Sequence, residues 1–191
     1  MELSNKVIEK FKFMNLPNKY YLVRMEGIKD KFTYKAKVQD YLDSTPNVKG
    51  LYLHGPLGHG KSAIAAIVLK TYAYKGIFGH WLNYKDLVNI QYNNVKFDQD
   101  TLLIDRIREC SVLAVDEFDV PPDPKQGGRG VDIFESILRH RDQNGLPTII
   151  TSNLKPNQET IDKIPFLAGL LSVASDCTTS INVKGEKRRP I

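Results

Sequence analysis

Residues 55–62 read Gly-Pro-Leu-Gly-His-Gly-Lys-Ser, the spacing G-x-x-x-x-G-K-[ST] that cradles a nucleoside triphosphate. The chemistry needs these residue types. Glycines let the backbone turn so that successive N–H groups converge on a phosphate. A helix starting near Lys61 adds its positive N-terminal end. Gly55, Pro56, Leu57, Gly58, His59, Gly60, Lys61, Ser62 and the following Ala63 are the expected nucleotide contacts. Lys61 suits the β- and γ-phosphates, and the Ser62 hydroxyl suits Mg²⁺. Pro56 and His59 fill variable positions of the motif, and no base role is expected of His59.

Val112-Leu-Ala-Val-Asp116-Glu117 lies 55 residues after Lys61, measured to Asp116. It is an apolar run ending in two adjacent carboxylates, the pattern of a buried strand that delivers acids to the ligand-binding edge of an α/β sheet. Asp116 is expected to hold Mg²⁺, and Glu117 to orient and activate an attacking water. Two neighbouring acids repel unless a cation sits nearby. Asp119, a third acid, is expected to be solvated. Thr148-Ile-Ile-Thr-Ser-Asn153 is a further apolar run, ending in hydroxyls and an amide. Asn after a strand is commonly a turn residue. Beside the other two motifs, Asn153 is expected to stand between Glu117 and the γ-phosphate and to hold the water.

The elements that must position these groups alternate in type. Strands are expected at 50–54, 78–82, 112–115, 148–151 and 178–183, and helices at 62–74, 84–92, 131–143 and partly over 157–175, broken at Pro165. Asn83 caps the helix that follows it, and Asp100 or Thr101 caps another that ends at Glu109. Residues 93–99 read as polar loop, and residues 118–130, with three prolines and three glycines in the segment, as a long loop. Helical runs over 2–14 and 34–42 precede the first strand. Short apolar strands separated by helices predict an α/β three-layer fold around a central parallel five-stranded sheet. The expected division is an N-terminal helical, basic arm over 1–45 and a nucleotide-binding core with a basic tail over 46–191.

The chain has 191 residues, 41% of them hydrophobic, enough for one domain with a full core. Two cysteines, Cys110 and Cys177, rule out a disulfide framework. No apolar run approaches the length of a membrane span, and the N-terminus has no signal-peptide block. The expectation is a cytoplasmic protein with reduced thiols and no membrane partner. The net charge of +5 is concentrated at the ends: residues 1–49 hold ten Lys/Arg against six Asp/Glu, and 184–191 four against one. Such ends can follow a phosphate backbone, or simply keep the chain soluble. Tyr20, Tyr21, Phe32, Tyr34 and Tyr41 alternate with Lys19, Arg24, Lys29, Lys31, Lys35 and Lys37. The rings either stack on bases or pack the arm on the core. Tyr72, Tyr74, Trp81, Tyr84 and Tyr92 follow helix or strand periods and read as packing residues.

Together, GPLGHGKS, VLAVDEF and TIITSN resemble the core of AAA+ ATPases, and more narrowly the DnaC/DnaI-type helicase loaders and the related IstB-type transposition ATPases. The similarity runs from about Asn15 to the C-terminus. It includes Asn15-Leu-Pro before the core, Asp86-Leu87 after the second strand, Arg141 ahead of Pro147, and a terminal Gly185-x-x-Arg188. The resemblance implies a P-loop NTPase fold of AAA+ type without a complete C-terminal lid domain, ATP and Mg²⁺ as ligands, and Arg188 as a nucleotide-sensing arginine. It implies single-stranded DNA and a hexameric DnaB-type replicative helicase as partners, and assembly with its own kind or a related ATPase.

Three features depart from that pattern. No arginine occurs from 142 to 187, so the finger that acts on a neighbour's ATP must come from Arg129, Arg139, Arg141, the tail or another protein. Only 15 residues precede Leu16, where loaders often carry a helicase-binding domain. The loop with Lys125 and Arg129 is long, and reads either as a contact for DNA or a neighbour or as plain surface. Beside the helicase loader stand two other functions: an IstB-like transposition helper, and a nucleotide-binding scaffold that hydrolyses little.

Overall fold

The computed structural model describes residues 3–29, 32–44, 49–92, 97–119 and 124–185. Five strands, β1 (Gly50–His54), β2 (Gly79–Asn83), β3 (Val112–Phe118), β4 (Thr148–Ser152) and β5 (Thr178–Asn182), form one sheet in the order β2-β3-β4-β1-β5. Every pairing is parallel. Successive strand residues point to opposite faces, and β1, β3 and β4 are buried on both, which is why they read as largely apolar runs, whereas edge strand β5 is partly exposed. Leu51, Leu53, Ala114 and Ile149 meet α2 (Thr33–Asp43) and α3 (Lys61–Tyr74). Tyr52, Leu113, Val115 and Ile150 face the other layer, where α4 (Tyr84–Tyr92), α6 (Pro124–Gln143) and α8 (Ala168–Cys177) contribute to the apolar cluster.

Helix boundaries differ from expectation in two places. α5 (Phe97–Glu109) starts before Asp100, and α6 starts at Pro124 inside the stretch expected to be loop. Proline fits the first turn of a helix, where its missing N–H costs nothing. At Pro165 the chain makes a short 3-10 turn between α7 (Gln158–Lys163) and α8, whose first position suits the fixed φ and missing N–H of proline.

The arm packs on the core through α1 (Asn5–Phe13) and the residues after it. Phe11, Met14, Leu16, Tyr20, Tyr34 and Tyr41 are buried in the cluster that holds Leu51 and Trp81. Tyr20, Tyr34 and Tyr41 are therefore packing rings, not base-stacking ones. Tyr74 departs the other way, at 62% exposed. Edge strand β2 is covered by the arm: Trp81 N–H donates to Met14 O at 2.8 Å, and Asn15 Nδ2 donates to Trp81 O at 3.1 Å, which shields that edge from a foreign strand. Buried Lys70 on α3 donates to the carbonyls of Tyr20, Tyr21 and Val23 and so anchors the arm. Burial, then the nearby Arg24, lowers its ammonium to about 8.

Arg141, near the end of α6, has 0% exposure. Its guanidinium donates to the carbonyls of Ile107, Arg108, Cys110 and Pro147 and to Thr148 Oγ1, at 2.8–3.1 Å. It ties the end of α5 and the turn into β3 to the start of β4. A side chain so enclosed reaches no neighbouring subunit, so Arg141 is removed from the finger candidates.

Candidate functional site

The parallel strands end together, and their C-terminal edge collects the polar residues. Register sets Asn83 beside Asp116 and His54 beside Ser152 and Asn182. The chain leaving β1 turns at once into the loop 55–60. Gly55 has φ +142°, and a Cβ there would lie 2.4 Å from Val183 O. Gly60 has φ +94° and forms the left-handed cap from which α3 starts. Both conformations favour glycine. Pro56 and Leu57 are exposed, Gly58 and Ala63 are half-buried, and His59 Nδ1 lies 3.0 Å from Leu57 O, inside the loop itself.

Lys61 is buried and its ammonium donates three hydrogen bonds: to Gly55 O at 2.7 Å, Pro56 O at 2.9 Å and Asn153 Oδ1 at 2.9 Å. Burial pulls its pKa down, opposed by the charges of Asp116 and Asp119. Asp116 is buried, which raises its pKa. Hydrogen bonds from Thr151 and Ser62 oppose that rise, and Glu117 adds to it. The Asp116–Thr151 bond is 2.6 Å. A hydroxyl and a carboxylate already in contact are the hard oxygen donors Mg²⁺ uses when phosphates supply its other ligands. Ser62 and Asp116 thus fit the ion.

Glu117 occupies an unusual backbone position. Its φ is +59°, and the β3–β4 register slips between Val115 and Phe118. A non-glycine residue in that region is uncommon and costs energy, and such outliers cluster at functional sites. The kink turns the Glu117 side chain outward to solvent. Asn83 Nδ2 donates to Glu117 Oε2 at 3.0 Å, and the Glu117 N–H donates to Thr151 Oγ1 at 3.0 Å. Asn153 completes the edge: besides accepting from Lys61, it donates through Nδ2 to Asp119 Oδ2 at 2.9 Å.

Two bonded groups therefore share the sheet edge, Lys61 with Asn153 and Asp116 with Ser62 and, through Thr151, Glu117, and the charge of Asp116 acts on Lys61 across them. Arg188 lies outside the described residues, as do the side chains of Lys125 and Arg129. Arg139 is partly exposed and pairs with Glu135 at 2.8 Å. Three participants were not assigned to the site from sequence: Thr151, Asn83 and Asp119. Asn83 does accept the Lys85 N–H as a helix-capping residue does, at 3.0 Å. Its second role depends on the β2–β3 register, which no local pattern encodes.

Among solved structures, the chain superimposes on DnaI with a TM-score of 0.74 at 20% identity, covering 91% of this chain and 94% of that one. It superimposes on the DnaC helicase loader at 0.72 and 20%, covering 88% and 100%. The chain therefore shares the fold of these two proteins. The same fold extends to the replication initiator DnaA bound to AMPPCP and single-stranded DNA, with a TM-score of 0.67 at 16% identity over 91% of this chain and 52% of that one. In sequence, the chain is 26% identical over 124 residues to the replicative helicase loader DnaI of Bacillus subtilis (strain 168). That match covers 63% of this chain and 39% of the relative's length. No family model matches. Among the described residues, no helix is long and apolar enough to cross a membrane.

Proposed function

We propose that this chain binds and hydrolyses Mg-ATP and uses the cycle to load or remodel a hexameric DnaB-type replicative helicase on single-stranded DNA in the cytoplasm. The observation that carries the nucleotide reading is the meeting of two bonded groups at one sheet edge: Lys61 on Asn153, and Asp116 and the Glu117 N–H on one Thr151 hydroxyl. In this reading the loop 55–60 and Lys61 hold the phosphates, and Ser62 and Asp116 hold Mg²⁺, which neutralises charge on them. Glu117 takes the proton of the attacking water, and Asn153 orients that water. Arg188 senses the nucleotide. The arm, residues 1–45, and the core, residues 46–191, act as the two working parts.

The partner reading draws on the relatives, which are helicase loaders by name. Hydrolysis by the isolated chain is slow, because Arg141 is enclosed and a finger must come from Arg139, Arg129, the tail or a neighbouring ATPase.

The test uses the purified DnaB-type helicase of the same host, immobilised, with circular single-stranded DNA. With ATP, the wild-type chain should be retained on the helicase and should transfer it to the DNA, while Lys61→Ala should do neither. Wild-type chain that ignores the helicase with and without ATP overturns the loader function and leaves nucleotide binding standing.

A further inference from the structure

Asp119 stands three residues beyond Asp116 and has no part in the roles above. Its carboxylate accepts from Asn153 Nδ2 at 2.9 Å, while Asn153 Oδ1 accepts from Lys61 Nζ at 2.9 Å. These two contacts define which way the amide faces, because an ammonium only donates and an ionised carboxylate only accepts. Turned over, the amide would set its oxygen against the Asp119 carboxylate and its NH₂ against the Lys61 ammonium, losing both charge-assisted bonds. The Asp119 charge also acts on Lys61 directly.

A phosphate oxygen is an acceptor. Arriving at Lys61, it meets the oxygen of Asn153 rather than its N–H groups. We propose that Asp119 is a positioning residue that locks the Asn153 amide with its oxygen toward Lys61, so that the terminal phosphate of a nucleoside triphosphate engages Lys61 and Asn153 together only when the Asp119–Asn153 bond breaks. This rests on the nucleotide reading above and adds a threshold to it. Lys61 meets the β-phosphate of either nucleotide, but only the γ-phosphate of a triphosphate stands at Asn153 as well and so must break its bond to Asp119. Asp119 therefore holds down affinity for ATP more than for ADP.

The test is calorimetric titration of the full chain with Mg-ATP and Mg-ADP, in wild type, Asp119→Asn, Asn153→Ala and the double variant. An asparagine at 119 can present either its oxygen or its NH₂, so it frees the neighbouring amide to turn without removing the side chain. Asp119→Asn should tighten ATP about tenfold, the value of one charge-assisted hydrogen bond, and ADP by less than about twofold. In the Asn153→Ala background the ATP gain should fall below about twofold, because there is no amide left to lock. Asp119→Ala gives the same pattern if the amide orientation is what matters. Equal tightening of ATP and ADP overturns the proposal, as does a gain that persists without Asn153, since Asp119 would then act by charge alone. If no variant binds either nucleotide, the nucleotide reading fails and takes this proposal with it. Wild-type binding unchanged by Asp119→Asn defeats the proposal alone.

Discussion

Glu117→Gln is expected to keep wild-type affinity for Mg-ATP and to lose turnover by about a hundred- to ten-thousandfold, the range a general base contributes. The substitution is isosteric. A glutamine at 117 can still accept from Asn83 Nδ2, and its backbone N–H can still donate to Thr151 Oγ1, so both contacts that hold the residue survive. The positive φ is a property of the β3 bulge, and glutamine tolerates it no worse than glutamate does. What disappears is the capacity to take a proton from water. Steady-state phosphate release, with binding checked by calorimetry, separates the two effects. A Glu117→Gln protein that turns over as fast as wild type would remove Glu117 from the chemistry. Equal, very slow rates in both would favour the scaffold function.

The second large effect is on stability. Arg141→Met should destabilise the chain by about 3–5 kcal/mol, because it strands buried acceptors that have organised around one guanidinium. Replacing a buried ion pair by an apolar group is often harmless, but here no carboxylate leaves with the arginine. The carbonyls of Ile107, Arg108, Cys110 and Pro147 stay in place and lose their donor. Lysine is no substitute, since one ammonium cannot span acceptors that the planar fork reaches from Thr148 to Arg108. Urea unfolding of wild type, Arg141→Met and Arg141→Lys gives the answer. Arg141→Met with an unchanged midpoint and a selective loss of turnover would reinstate Arg141 as a finger.

The fold was legible in the sequence to the extent that burial leaves a mark on residue type. Strands β1, β3 and β4 are covered on both faces, so Leu51–Leu53, Val112–Val115 and Ile149–Ile150 stand out as apolar runs. The first turn of α6 was hidden, because proline and glycine around 124–128 look like loop while proline in fact suits a helix start. In the site, the phosphate loop and the acid pair were legible because each is contiguous. Thr151, Asn83 and Asp119 were not, since they come together only through strand register and the kink at Glu117. The burial of Arg141 is largely nonlocal: beside Pro147 and Thr148, its acceptors lie some 30 residues back along the chain, at Ile107, Arg108 and Cys110.

Calorimetric titration of wild type and Lys61→Ala with Mg-ATP bears most directly on the central claim, that the loop 55–60 and the ends of β3 and β4 form one triphosphate site. Lys61 is the side chain that joins the loop to the end of β4, touching Gly55, Pro56 and Asn153 at once, and it feels the charge of Asp116 on β3. Wild type should give a saturable binding isotherm, and Lys61→Ala, still folded by circular dichroism, should give none at the same concentrations. Undiminished affinity in Lys61→Ala would contradict the account.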